Sequence, residues 1–130
     1  MCGLFFVVER TRVVNRQRAF EATQALRHRG PDGIGEYSFT VECNASEGPF
    51  AVSGFVGHTR LSILDPSTRS SQPFRRGKRT LAYNGEIYNF RELRGELARA
   101  GASFQTDGDT EVLLELVASA VAALVFNRRI

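Results

Sequence analysis

The chain is poor in cysteine, with two in 130 residues, and has no long apolar run. No stretch approaches the roughly 20 apolar residues a membrane helix needs, so a membrane-spanning role is excluded. The apolar run at residues 4–8 is short and lacks a basic segment before it, which excludes an export signal. Two cysteines and no export signal point to a reducing compartment, the cytoplasm, with Cys43 a free thiol at a packed strand position. Cys2, Cys43, His28 and His58 lack metal-ligand spacing. No Gly-x-Ser-x-Gly occurs, so a serine triad of that type is not indicated. Net charge is only +3. The basic run Arg75, Arg76, Lys78, Arg79 has no aromatic residues interleaved, and so weak an overall charge gives little counterion release. Nucleic-acid binding is not expected. Internal repeats and low-complexity linkers are absent too.

What is present is an ordinary globular composition, 42% hydrophobic and 24% charged, long enough for one domain with a real core. Residues 4–8, continuous and apolar, read as a buried strand. Residues 17–28 read as a helix with Ala19, Ala22 and Leu26 on one face, stopped by Gly30-Pro31-Asp32-Gly33. Residues 36–43 alternate as a half-exposed strand, with Tyr37, Phe39, Val41 and Cys43 facing one way. A turn at 44–49, strands at 50–56 and 61–64, a loop at 65–77 and a strand at 80–83 follow. Phe90, Leu93, Leu97 and Ala100 make a helical stripe. Asn89 and Glu92 stand as a capping box, and Gly101 ends that helix. Residues 103–105 read as extended. A further helix spans 110–117, with Asp109 placed to cap it. The tail 118–130 is open between helix and strand. The pattern gives an α+β or layered α/β class with antiparallel sheets.

The position of Cys2 carries chemistry. A small residue after Met1 permits removal of Met1, which would leave one residue bearing a thiol and a free α-amine. Reference values for such groups are about 8.5 and about 7.7–8.0, so a nucleophile and a general base would sit two bonds apart. A lone cysteine is also often just a small hydrophobe. Four further segments place unusual polar residues at element ends: 27–33 (RHRGPDG), 57–65 (GHTRLSILD), 83–89 (YNGEIYN) and 106–111 (TDGDTE). Asn84-Gly85 has two readings. It is the strongest hairpin dipeptide, and it is also a side-chain amide beside an unencumbered N–H, the parts of an oxyanion hole. His28 and His58 each adjoin arginine and read as structural hydrogen-bonding groups rather than bases.

Taken in order, Met1-Cys2-Gly3, RHRGPDG, HTRLSILD, YNGEIYNF and DGDTEVLL resemble the N-terminal glutaminase domain of asparagine synthetases. These are class II glutamine amidotransferases of the N-terminal nucleophile hydrolase type. The resemblance runs from Met1 to about Glu115. RGPDG, RLSI and NGEIYN point to the asparagine synthetase branch. It implies an αββα four-layer sandwich with antiparallel sheets and glutamine hydrolysis to glutamate and ammonia. Cys2 would be the nucleophile, and Asn84 with Gly85 the oxyanion hole. Arg60 would hold the substrate α-carboxylate and Asp109 its α-ammonium, with Leu61, Ile63 and Glu86 lining the pocket. It implies no cofactor in this domain. ATP and Mg belong to a separate synthetase domain, for which the chain shows no nucleotide-binding glycine motif. Family domains are longer, so the sequence reads as one truncated glutaminase domain over 1–130, family-like to about 117 with a divergent tail. Residues 121–129 faintly echo a later family strand. A sandwich short of strands is expected to have an exposed edge and low stability or to associate, with itself or with a synthetase-domain partner. A second reading is an inactive truncated domain that serves as a binding or interaction module.

Overall fold

The computed structural model describes residues 2–10, 12–46, 48–63 and 65–127, with backbone alone for 122–127. They divide into two compact units. The first comprises residues 1–62, 71–73 and 82–85; the second comprises 63–70, 74–81 and 86–130. The class is α+β with antiparallel sheets, as the sequence pattern implies.

In the first unit, β1 (Gly3–Glu9), β2 (Gly33–Ala45) and β3 (Gly48–Arg60) form one antiparallel sheet in the order β1-β3-β2. The register pairs Gly3 with Thr59 across β1 and β3, and Gly33 with Arg60 across β2 and β3. Helix α1 (Arg16–Gln24) covers one face. Asn15 caps it, its side chain accepting from the Arg18 N–H at 3.0 Å, which satisfies one of the donors a helix start leaves free. Helix α1 is shorter than expected. The chain turns at Ala25 into a single 3-10 turn, Arg27–Arg29, and Leu26 closes on the sheet where its carbonyl accepts from the Thr59 hydroxyl at 3.0 Å.

β3 runs unbroken through residues expected to lie beyond its end, and residues 61–63 are irregular rather than a further strand. Leu64 lies outside the described residues. Glycines explain the continuity. Gly57 leaves room for Thr23, which is fully buried and donates its hydroxyl to the Ala19 carbonyl at 2.9 Å. A Cβ at Gly57 would meet the Thr23 methyl at 2.6 Å. Gly57→Ala is therefore expected to destabilise the unit by about 1–3 kcal/mol, the usual cost of overpacking, read as a lower urea midpoint at unchanged slope. Gly54 likewise accommodates the Phe39 ring.

The opposite face alternates in register with Leu4, Phe6, Val8 and Val41, which are 42%, 59%, 45% and 49% exposed. Cys43 lies half-buried on β2 opposite Phe50 and is a free thiol.

In the second unit, β4 (Phe74–Arg76) and β5 (Arg79–Leu81) form a two-stranded antiparallel sheet; β5 lies at the strand expected over 80–83, while β4 falls in what reads as loop from sequence. Gln72–Pro73, assigned to the first unit, is cis. Helix α2 (Phe90–Arg99) packs on α3 (Asp109–Asn127). Phe90, Leu97 and Val112 form the buried centre, with Leu93, Phe104 and Leu116 packed around it. Asn89 precedes α2, but its side chain makes no capping bond; its backbone carbonyl instead accepts from Glu92 and Leu93. Gly101 ends the helix at φ 98°, a left-handed position that suits glycine. Residues 103–105 form no strand. The tail is helical through Asn127; residues 128–130 lie outside the described residues. Among the described residues, no helix is long and apolar enough to cross a membrane.

Candidate active site

Cys2 stands immediately before β1 and is half-buried. Its seat is the chain leaving β3. The Leu61 N–H donates to the Cys2 Sγ at 3.3 Å, and the thiol lies 3.8 Å from the Leu61 carbonyl oxygen. The flanking backbone is pinned as well. The Cys2 carbonyl accepts from Arg29 Nε at 3.1 Å, and the Gly3 N–H donates to the Thr59 hydroxyl oxygen at 3.1 Å. A Cβ on Gly3 would meet that hydroxyl at 2.5 Å and the Leu26 Cβ at 2.7 Å, so position 3 approaches too closely for a larger residue. The sequence does not assign Arg29 this part. Its only signal is membership of RHRGPDG, whose partner is fixed by the 3-10 turn that brings it to β1.

Arg60 closes β3 and is half-buried; its carbonyl accepts from the Asp32 N–H at 3.0 Å. The Ser62 N–H in turn donates to Asp32 Oδ2 at 2.7 Å. RGPDG and RLS thus brace each other across the ends of β2 and β3.

Asn84 and Gly85 also belong to the first unit, and both are exposed. The hairpin reading of Asn-Gly needs positive φ at both residues. Positive φ occurs at Gly48, Gly77 and Gly101 and at neither Asn84 nor Gly85. Glycine at 85 lets the Tyr83 side chain lie close instead, because a Cβ there would come within 2.6 Å of the phenolic oxygen unless the ring or the turn shifted.

Ile63, Glu86 and Asp109 belong to the second unit. Ile63 is 68% exposed and Glu86 is exposed. Asp109 is buried at the start of α3, and its Oδ2 accepts from the Ile87 N–H at 3.0 Å. The loop before it is held by two carboxylates. Glu111, fully buried, accepts from the backbone N–H groups of Gln105 and Thr106, from the Thr106 hydroxyl at 2.8 Å and from Arg76 at 3.0 Å. Asp65 accepts from the Ser70 hydroxyl and from the N–H groups of Ser67 and Asp107. The Ser70 hydroxyl foremost holds the Asp65 carboxyl well below the usual carboxylate range. Neither anchor is evident in sequence, since each is defined by donors from other segments. Among the described residues no three or more His, Cys, Asp or Glu gather as a metal site.

Residues 1–127 match the family model described as a glutamine amidotransferase domain. The chain is 38% identical over 120 residues to asparagine synthetase B (glutamine-hydrolysing) of Escherichia coli, covering 89% of this chain and 19% of that protein. It is 45% identical over 101 residues to a putative asparagine synthetase of Mycobacterium bovis, covering 72% and 14%. Similarity extends beyond that branch, with 33% identity over 138 residues to the glutamine–fructose-6-phosphate aminotransferase of Caulobacter vibrioides, covering 94% and 22%. The chain thus spans about a fifth or less of the length of these relatives. With Cys2, RHRGPDG, HTRLSILD and YNGEIYNF in order and the first and second bonded to each other and to the chain where β3 closes at Arg60, the chain belongs to the glutamine amidotransferase domain family.

Proposed function

We propose that this chain is a glutaminase domain that releases ammonia from glutamine for an asparagine synthetase type of amidation. The observation that carries the reading is the seating of the Cys2 thiol against the Leu61 N–H and carbonyl, beside Arg60. RGPDG, RLSI and NGEIYN support the asparagine synthetase branch.

In this mechanism Met1 is removed, and the α-amine of Cys2 takes the thiol proton. The thiolate attacks the side-chain amide carbon of glutamine, and the Asn84 amide with the Gly85 N–H receives the developing oxyanion. The amine returns the proton to the departing nitrogen, so ammonia leaves and a thioester remains. Water, deprotonated by the same amine, cleaves the thioester to glutamate and restores the thiol. Arg60 holds the α-carboxylate through its planar fork. Asp109 is assigned the α-ammonium, and Leu61, Ile63 and Glu86 the pocket wall, by motif position. The acceptor, aspartate by resemblance, and the ATP and Mg that activate it belong to a separate synthetase domain. Cytoplasmic placement follows from the free thiols this chemistry needs.

The test is glutamate and ammonia release from glutamine by Met1-processed chain, with Cys2→Ala as control. No release above that control would leave only the binding-module reading. Within an active chain, Arg60→Lys is expected to raise KM for glutamine by about tenfold with a smaller change in kcat, since a point charge replaces a bidentate clamp used in ground and transition states alike. Steady-state kinetics over glutamine concentration checks this.

A further inference from the structure

His58 lies on β3, the central strand of the first unit, at the rung where β1 contributes Leu4 and β2 contributes Gly35. Its side chain is fully buried. Nε2 lies 3.2 Å from the Tyr83 carbonyl oxygen. A carbonyl only accepts, so Nε2 carries the proton and donates. Nδ1 is then a bare acceptor, and among the described residues it is buried without a partner. A second proton there would put a charge inside the sheet with nothing to receive it. Burial above all pushes the imidazole pKa down, the nearby Arg60 charge adds to this, and the Tyr83 carbonyl opposes it. His58 is therefore a fixed neutral donor rather than a general base.

What it fixes is specific. The Tyr83 backbone is held at both ends, its N–H donating to Gln72 Oε1 at 2.6 Å and its carbonyl accepting from His58. Gln72 in turn fits over Gly35, where a Cβ would strike the Gln72 carbonyl oxygen. Asn84 and Gly85 follow at once, with Gly85 closed down on the Tyr83 ring. Three residues after His58 comes Leu61, which seats the Cys2 sulfur.

We propose that His58 is a positioning residue for the oxyanion turn: its Nε2–H fixes the Tyr83 carbonyl, and so places Asn84 and Gly85 relative to the strand whose end seats Cys2. It touches no substrate and acts through Tyr83. The proposal rests on the glutaminase reading for its catalytic consequence but not for its structural one.

The experiment compares wild type, His58→Leu and His58→Gln in the full Met1-processed chain, by three readouts. Hydrogen exchange at the Tyr83 amide, which donates to Gln72, reports the turn. Glutamine kinetics report the oxyanion hole. Alkylation of Cys2 by iodoacetamide reports the nucleophile without needing that hole. Leucine keeps bulk and loses the donor, so exchange at the Tyr83 amide should quicken by about tenfold relative to β3, in the sense of local opening. kcat should fall by about ten- to a hundredfold, part of the value of an oxyanion donor, while KM and the alkylation rate stay near wild type. Glutamine at 58 can donate to the same carbonyl and should restore most of kcat and of the protection. Unchanged exchange at Tyr83, unchanged kcat, kcat and alkylation falling together, or no rescue by His58→Gln would each overturn the proposal. A wild-type chain that releases no glutamate above the Cys2→Ala control sinks the glutaminase reading alone, because the exchange comparison still decides what His58 holds. Should His58→Leu fail to fold, His58→Asn takes its place, since the shorter amide stops short of the Tyr83 carbonyl.

Discussion

Cys2→Ala is expected to lower glutamine hydrolysis by at least about a thousandfold, to the level of buffer, in chain from which Met1 has been removed; loss of the covalent route leaves only binding and oxyanion contributions, and without an attacking atom these give little. The change removes one sulfur atom. The backbone contacts that fix the segment do not use it. The Cys2 carbonyl keeps Arg29, and the Gly3 N–H keeps the Thr59 hydroxyl. Melting should therefore shift little, and an activity loss with an unchanged melt separates chemistry from folding. Cys2→Ser sharpens the test. The hydroxyl can occupy the seat at the Leu61 N–H, yet at neutral pH it is a far weaker nucleophile than a thiol. Its activity should lie near that of alanine. Chain that retains Met1 has its amine acylated and loses the proposed base, so it should be inactive with the thiol intact. Intact mass sorts the two populations. Activity in Met1-retaining chain would sink the amine's role while sparing the thiol's.

Several elements can be read from sequence because they obey one local rule. β1 is a continuous apolar run, and α2 carries a stripe at helical spacing. Misreadings arise where a tertiary contact decides. His58 and Thr59 look like the end of a strand because they are polar, yet both are buried in β3, with partners at Tyr83 and Leu26. Gly57 looks like a strand breaker, but it clears space for the Thr23 side chain. Helix α1 stops early because Leu26 is needed at the sheet. The Asn89 capping box fails although its residues are right, because the side-chain bond is not made. For the proposed site, position singles out Cys2 as a candidate, and motif singles out Arg60 and Asn84. Arg29 and Glu111 are not, since a residue's bonding partners across 27 positions, as for Arg29 and Cys2, are not written in local spacing. The reading of His58 as a structural hydrogen-bonding group agrees with its bond to Tyr83.

The second large effect is expected at Asn84. Asn84→Ala should lower kcat by about a hundred- to a thousandfold, or about 3–4 kcal/mol of transition-state stabilisation, with KM for glutamine close to wild type, because an oxyanion donor is used only as charge develops. Alanine alone does not separate that role from turn formation. Asn84→Asp and Asn84→Gly do. Both residues form turns as readily as asparagine, so a turn-only role predicts near-normal activity from each. An oxyanion role predicts loss from both, with aspartate the poorer, since a carboxylate beside the developing anion repels it. The backbone already weighs against a hairpin turn, with positive φ at neither Asn84 nor Gly85. Gly85→Ala probes the other donor by a different route. The N–H stays, but a Cβ would press on the Tyr83 ring at 2.6–2.8 Å, and the ring or the turn must move. The Tyr83 backbone is held by Gln72 and His58, so wherever the ring does not swing aside the Gly85 N–H is displaced. Loss at Gly85→Ala should therefore add less than its full single effect in the Asn84→Ala background, because donors that stabilise one oxygen couple. Full additivity of the two would mean that they do not act on the same atom.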